Sequence, residues 1–267
     1  EPPTFSPTPP VTVAATSVPM ISSAPTGEPV SCWTKLDAAA PMQVDLDGDG
    51  ADETVAVRVD EDAFVSDVTV EYKNGTLTDH LDTALMFMKA YYGDAKREDG
   101  SGELYITGDT ASDDYTTFAY RIRDGKLQRA EFYGEVMDCD GTAVTVRSYA
   151  NVLGTYDCTY TNCLSDEGFS FTRTSSYRIT RYEGDWDERK LTLQRDGLPV
   201  QTGTGKTTLQ KGAELMLVET DQESYAVLCD RQKQVYRLDM ERQEEDWRWF
   251  IDGVAEEDWF GMLMYAG

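Results

Sequence analysis

The sequence predicts an all-β chain, and three observations carry that expectation. Runs such as TVAVRV (54–59), SFTRTSSYRITRY (170–182), KLTLQRD (190–196) and ELMLVET (214–220) alternate apolar and polar residues, the period of two that a half-buried strand imposes. YKNGTL (72–77) and IRDGKL (122–127) each set Asn-Gly or Asp-Gly between strand-like flanks, a strong local hairpin signal. These two segments lie 50 residues apart, and the same offset aligns DLDGDGADETVA (45–56) with AKREDGSGELYI (95–106). Strand-built units of about 40–50 residues imply propeller-like or meander repeats. A closed ring needs at least about four blades, so a partial propeller and an irregular sandwich are both open.

Taken in order, residues 1–31 are dominated by Pro, Thr, Ser, Ala and Val and nearly lack charge. Such a stretch cannot bury a core and is expected to be an extended, disordered tether of the kind that joins a cell-surface anchor to a folded domain. No basic-then-apolar leader is recognisable, which fits a leader already removed, and no run approaches the roughly 20 apolar residues of a membrane span. The expected location is therefore extracellular or tethered to the cell surface. With 24 basic against 49 acidic side chains the net charge is −25, which disfavours nucleic acid and anionic lipid as partners.

The segment DLDGDGADE (45–53) crowds five carboxylates into nine positions just before a strand. Asp45, Asp47 and Asp49 alternate, so a tight loop can turn all three inward around a hard cation while Gly50 permits the reversal. The carbonyl of Ala51 and the carboxylate of Glu53 would complete the shell. An EF-hand needs a bidentate Glu at its twelfth position and a helix beyond it; here that position is Ala56, within a strand-like run. The pattern D-x-D-x-D-G-x-x-[DE] before a strand resembles the calcium loops of FG-GAP repeats, found in integrin-type β-propellers and many bacterial surface proteins. That resemblance implies calcium held by Asp45, Asp47, Asp49 and Glu53. In the second copy Ala95 and Arg97 replace the first two ligands while Asp99, Gly100 and Glu103 persist, so the turn is expected to survive without its ion. Asp140 and Gly141, in DCDGTAVTV (138–146), echo the turn a third time.

Between the first two units, HLDTALMFMKAYYG (80–93) places Leu81, Ala84, Leu85, Met88 and Tyr91 at helical spacing, which predicts a short helix packed on the core. His80, the single histidine, is expected at the surface or at that helix start. The cysteines are Cys32, Cys139, Cys158, Cys163 and Cys229; the spacing of CTYTNC (158–163) leaves a local disulfide open if a turn intervenes. TGTGKTTL (202–209) imitates the end of a phosphate-binding loop, but Val200 stands where the first glycine belongs and no helical pattern follows, so nucleotide binding is rejected.

Residues 208–240 resemble the bacterial Src-homology-three family of small β-barrels, with Lys211 and Gly212 at the leading turn. That resemblance implies a barrel-like region, in bacteria often a binder of wall peptides or a structural cap. The tail 244–267, with Trp247, Trp249, Phe250, Trp259, Phe260 and Tyr265, is expected to pack back and seal the sheet rather than to offer stacking surfaces. The reading is thus a tether (1–31), a propeller-like β-repeat domain (32–190) and a small β-barrel-like region (191–267). Non-catalytic recognition of a glycan, peptidoglycan or protein is the leading function, and a hydrolase of such polymers working through paired carboxylates is the alternative.

Overall fold

The computed structural model describes residues 33–93, 102–110, 114–139, 143–165, 169–180, 185–243 and 248–265. The tether, Cys32, the second-copy positions Ala95, Arg97, Asp99 and Gly100, the Asp140 and Gly141 turn and Trp247 lie outside the described residues.

The fold is all-β and built from antiparallel sheets. After β1 (Trp33–Leu36), the strands β2 (Met42–Val44), β3 (Glu53–Asp60), β4 (Val65–Tyr72) and β5 (Gly75–Leu81) hydrogen-bond in chain order as a first four-stranded meander. A second meander follows with β6 (Met86–Gly93), β7 (Glu103–Asp109), β8 (Tyr115–Arg123) and β9 (Lys126–Tyr133), and β1 joins it beside β6. Strands β3 and β7 begin 50 residues apart, at Glu53 and Glu103, so the sequence offset marks a repeated structural unit. The third sheet starts with β10 (Glu135–Cys139), β11 (Val144–Asn151), β12 (Thr155–Ser165), β13 (Ser170–Arg173) and β14 (Tyr177–Ile179). Past α1 (Asp185–Arg189) and β15 (Leu191–Thr192), it continues through β16 (Leu198–Thr202), β17 (Gly205–Leu209), β18 (Glu214–Thr220), β19 (Tyr225–Cys229) and β20 (Val235–Asp239). A last small sheet of β21 (Glu241–Arg242), β22 (Trp249–Ile251) and β23 (Val254–Ala255) leads into α2 (Glu256–Phe260).

The first, second and third sheets stack as layers, and alternation shows how. On β7, Leu104 and Ile106 pack toward the first sheet with Val55, Val68 and Val70, while the intervening Tyr105, together with Phe132 on β9, packs toward Val146 and Tyr160 of the third. On β8, Phe118 and Tyr120 face the first sheet and Ala119 the third. The second meander is thus the middle layer, and every residue of β7 is buried. Burying one such large apolar side chain contributes about 1.5–3 kcal/mol. A further core, with Leu193, Leu217, Leu228 and Trp259, lies under the C-terminal strands.

Four local expectations are corrected. The 80–93 segment forms no helix: Leu81 ends β5, and Met86–Gly93 is β6, paired with both β1 and β7. A register shift between Met86 and Lys89, with Phe87 at φ 49°, inserts residues into the alternation and so imitates a helical spacing. His80 lies at the surface, the first of its two expected places, exposed on β5 and paired through Nδ1 with Asp67 across the strand pair. The two hairpins at the 50-residue offset do not turn alike. Asp124 and Gly125, both at positive φ, form the β8–β9 turn as the sequence predicts, whereas β4–β5 turns on Lys73 and Asn74, with Lys73 at φ 53° and Gly75 already paired to Tyr72.

Cys158 and Cys163 both lie on β12, five residues apart, so they point to opposite faces with Cα atoms about 16 Å apart, far beyond disulfide reach. Burial pushes the Cys158 thiol up to about 12, which keeps it protonated and unreactive. Finally, the C-terminal strands do not close into a barrel. Tyr177 pairs with Thr220 and Arg178 with Glu219, which splices β18 and its neighbours onto the sheet begun at Glu135. That sheet runs across residue 190. The tail does seal the fold: Trp249 and Trp259 are buried, and their indole N–H groups donate to the carbonyls of Asn151 (2.9 Å) and Ile251 (3.2 Å).

Candidate functional site

The acidic segment is the loop between β2 and β3, closed by the pairing of Val44 with Glu53. Its backbone curls around its own aspartates. Asp45 accepts from the N–H groups of Gly48 (2.8 Å) and Gly50 (2.9 Å), Asp47 from Asp49 N–H (3.1 Å), and Asp49 from Ala51 N–H (2.9 Å). Gly48 and Gly50 lie at φ 75° and 86°, where a side chain would strain the curl. The result gathers one carboxylate oxygen from each of Asp45, Asp47 and Asp49 within 4.8 Å of one another. Two oxygens each about 2.4 Å from a shared cation are never more than about 4.8 Å apart, so the spacing fits a first coordination shell. All the donors are hard oxygens, which suit calcium or magnesium and not a soft metal. Each carboxylate oxygen has a second lone pair to offer after accepting an N–H.

Glu53 stands beside this set rather than in it. Its side chain is buried, and Oε2 accepts from Leu46 N–H at 2.7 Å. Burial raises its pKa, the Leu46 N–H opposes that shift, and repulsion from Asp47, Asp45 and Asp49 adds to it. Ala51 is exposed, and the Asp49 contact fixes its peptide. A competing cation is already close: Lys73 Nζ lies 3.6 Å from Asp47 Oδ2, which also accepts from Tyr72 O–H at 2.9 Å. One exposed ammonium does not neutralise three clustered carboxylates.

The loop also clasps the middle sheet. Leu46 is fully buried in the core between the first two sheets, and its carbonyl accepts from Ile122 N–H on β8 at 2.9 Å. The Asp45 carbonyl accepts from Tyr92 O–H at 2.6 Å and from Gly102 N–H at 3.4 Å. Whatever orders the aspartates therefore also orders the joint between two layers.

A second concave feature was not legible in the sequence. Where β9 passes through Gly134 into β10, a cleft of about 280 Å³ opens at the junction of the middle and third sheets, lined by Tyr115, Tyr133, Glu135, Arg147, Tyr149 and Tyr177 among others. Its residues come from five strands, β8, β9, β10, β11 and β14, so no local motif announces it; the one available signal is tyrosine at outward-facing strand positions. No helix among the described residues is long and apolar enough to cross a membrane. No family model matches the chain, no curated protein is significantly similar to it, and no solved structure matches it.

Proposed function

We propose that this chain is a non-catalytic extracellular binding or scaffold protein whose layered sheets are stabilised by calcium in the 45–53 loop. The observation supporting this reading is the convergence of Asp45, Asp47 and Asp49 in a loop whose backbone is bonded to β8 and the residues around β6 and β7. Calcium is favoured over magnesium because it accepts six to eight oxygens in irregular geometry, whereas magnesium demands a near-ideal octahedron. Ala51 and Glu53 are the remaining proposed ligands, through the carbonyl and the carboxylate respectively. The partner proposed is a glycan, peptidoglycan or protein at the cell surface, and the strong negative charge argues against nucleic acid.

Thermal melting of the full chain tests the ion. At a hundredfold excess over Kd, an ion bound only by the folded state adds about 2.7 kcal/mol, which for a protein of this size raises Tm by about 5–10 °C. EDTA should reverse that rise, and Asp47→Asn should abolish it. An unchanged Tm on chelation, with a silent Asp47→Asn, makes the loop a plain turn.

A further inference from the structure

We propose that the tyrosine-lined cleft beside Gly134 binds a neutral oligosaccharide. This names the ligand class for the binding reading above and rests on it. The cleft is a built feature of the layer junction. Gly134 sits at φ 115°, and a Cβ there would fall 2.5 Å from both the Arg147 carbonyl oxygen and Val146 Cγ1, so only glycine lets the β9–β10 corner press against β11. Gly134 N–H donates to the Tyr115 carbonyl at 2.7 Å, and its carbonyl accepts from Thr117 O–H at 2.7 Å. Opposite, the β18–β19 turn is bolted to β11: Asn151 N–H donates to Gln222 Oε1 at 2.9 Å, with Gln222 itself held at φ 58°. Strained backbone of this kind collects at ligand clamps. An adjoining recess of about 620 Å³ shares Tyr133, Tyr177 and Gln222, and together the two hollows reach the size range of ordinary ligand sites, about 300–1,000 Å³.

The lining chemistry selects among ligands. Tyr133 is 75% exposed although its neighbours on β9, Phe132 and Ala130, are buried, and Tyr160 O–H fixes its carbonyl, so an aromatic ring is displayed on a rigid mount. No aliphatic side chain lines the main cleft, which leaves no greasy hole for a peptide side chain or an acyl chain. Ring faces with interspersed polar groups suit a pyranose, whose C–H face stacks while its rim hydroxyls seek donors and acceptors. Those groups are prearranged: Glu135 is bound by Lys89 and lies 3.9 Å from Arg147, and Arg147 donates to Asp157 at 3.2 Å. Because each cation there already faces a carboxylate, and Asp114 adds another, a polyanion finds no net positive charge to bind.

Isothermal titration of the full chain in millimolar calcium, with cellohexaose, N-acetylchitohexaose, xylohexaose, mannohexaose and maltohexaose as probes, tests the proposal. At least one should bind with a micromolar to low-millimolar Kd. Tyr133→Ala should weaken it about tenfold, Tyr133→Phe should stay within about threefold, and Phe64→Ala, an exposed aromatic in a distant turn, should change nothing. Binding by none of the five overturns the proposal, as does binding indifferent to Tyr133→Ala, or a Tyr133-dependent ligand that proves to be a peptide. Chelator-sensitive melting without any bound oligomer overturns the cleft alone, whereas a bound oligomer with chelator-insensitive melting overturns the calcium reading alone.

Discussion

The first and middle sheets are the same four-stranded meander in two environments. At equivalent rungs, Val55 on β3 faces the middle sheet and Tyr105 on β7 faces the third, each pointing to the next layer. The opposite faces differ: Thr54, Ala56 and Arg58 look outward from the first sheet, where β7 has the fully buried Leu104 and Ile106. One repeat is thus capped by water and the other by protein. The outermost layer has half the apolar burial available to it, and it is the layer that carries the acidic loop. The lesson of the pair is that hydrophobic packing serves the first sheet on one face only, and that the gathered Asp45, Asp47 and Asp49 lie on this less buried layer.

The inequality of the two layers should be felt most at β7. Leu104→Ala should cost about 2–5 kcal/mol in urea unfolding, while Thr54→Ala, one repeat earlier, should stay within about 0.5 kcal/mol. Equal costs would mean that the layers are not as unequal as their burial. Next in size is the ion, at about 2.7 kcal/mol under saturating calcium, with its effect confined to the first sheet and its joint.

A smaller effect concerns the clasp between the two layers. Tyr120 O–H donates to Asp79 Oδ2 at 3.0 Å, and Arg129 Nη1 lies 3.1 Å from the same oxygen. Tyr120→Phe should cost about 1 kcal/mol. Burial, then Asp79, raises the Tyr120 pKa, so the folded state holds this proton more tightly than the unfolded chain. Its contribution is complete below pH 10 and lost as pH rises beyond it. Tyr120→Phe should therefore flatten part of the alkaline decline in stability, and an unchanged slope would contradict the assignment. The smallest effect is at Lys73, whose ammonium lies 3.6 Å from Asp47 Oδ2 and would compete with the proposed ion. Lys73→Gln should tighten calcium binding about two- to fivefold by calorimetry.

Much of the fold was written in the alternation of apolar residues, and the acidic loop in the spacing of its aspartates. What escaped did so for local reasons. The bulge at Phe87 turned a strand pattern into an apparent helix, because one shifted register breaks the period of two. The Lys73–Asn74 turn defeated the Asn-Gly rule because the β4–β5 pairing, fixed by Val68 and Val70 in the core, places Gly75 on a rung. The thiols of CTYTNC looked close because a count of intervening residues ignores that a strand is extended. The continuity of the third sheet past residue 190 depends on the short β14 meeting β18, a contact between distant segments with no signature in either. The tyrosine cleft was invisible for the same reason.

An ion in the loop is proposed to fasten the first sheet to the middle one, and hydrogen exchange reads that joint amide by amide. The N–H of Ile122, which donates to the Leu46 carbonyl, and the N–H of Leu46, which donates to Glu53, should exchange about a hundredfold more slowly in saturating calcium than in EDTA if the full stabilisation acts there. Amides of the C-terminal strands β19 and β20 should change far less under the same comparison. Equal exchange at Ile122 and Leu46 with and without calcium would contradict the account.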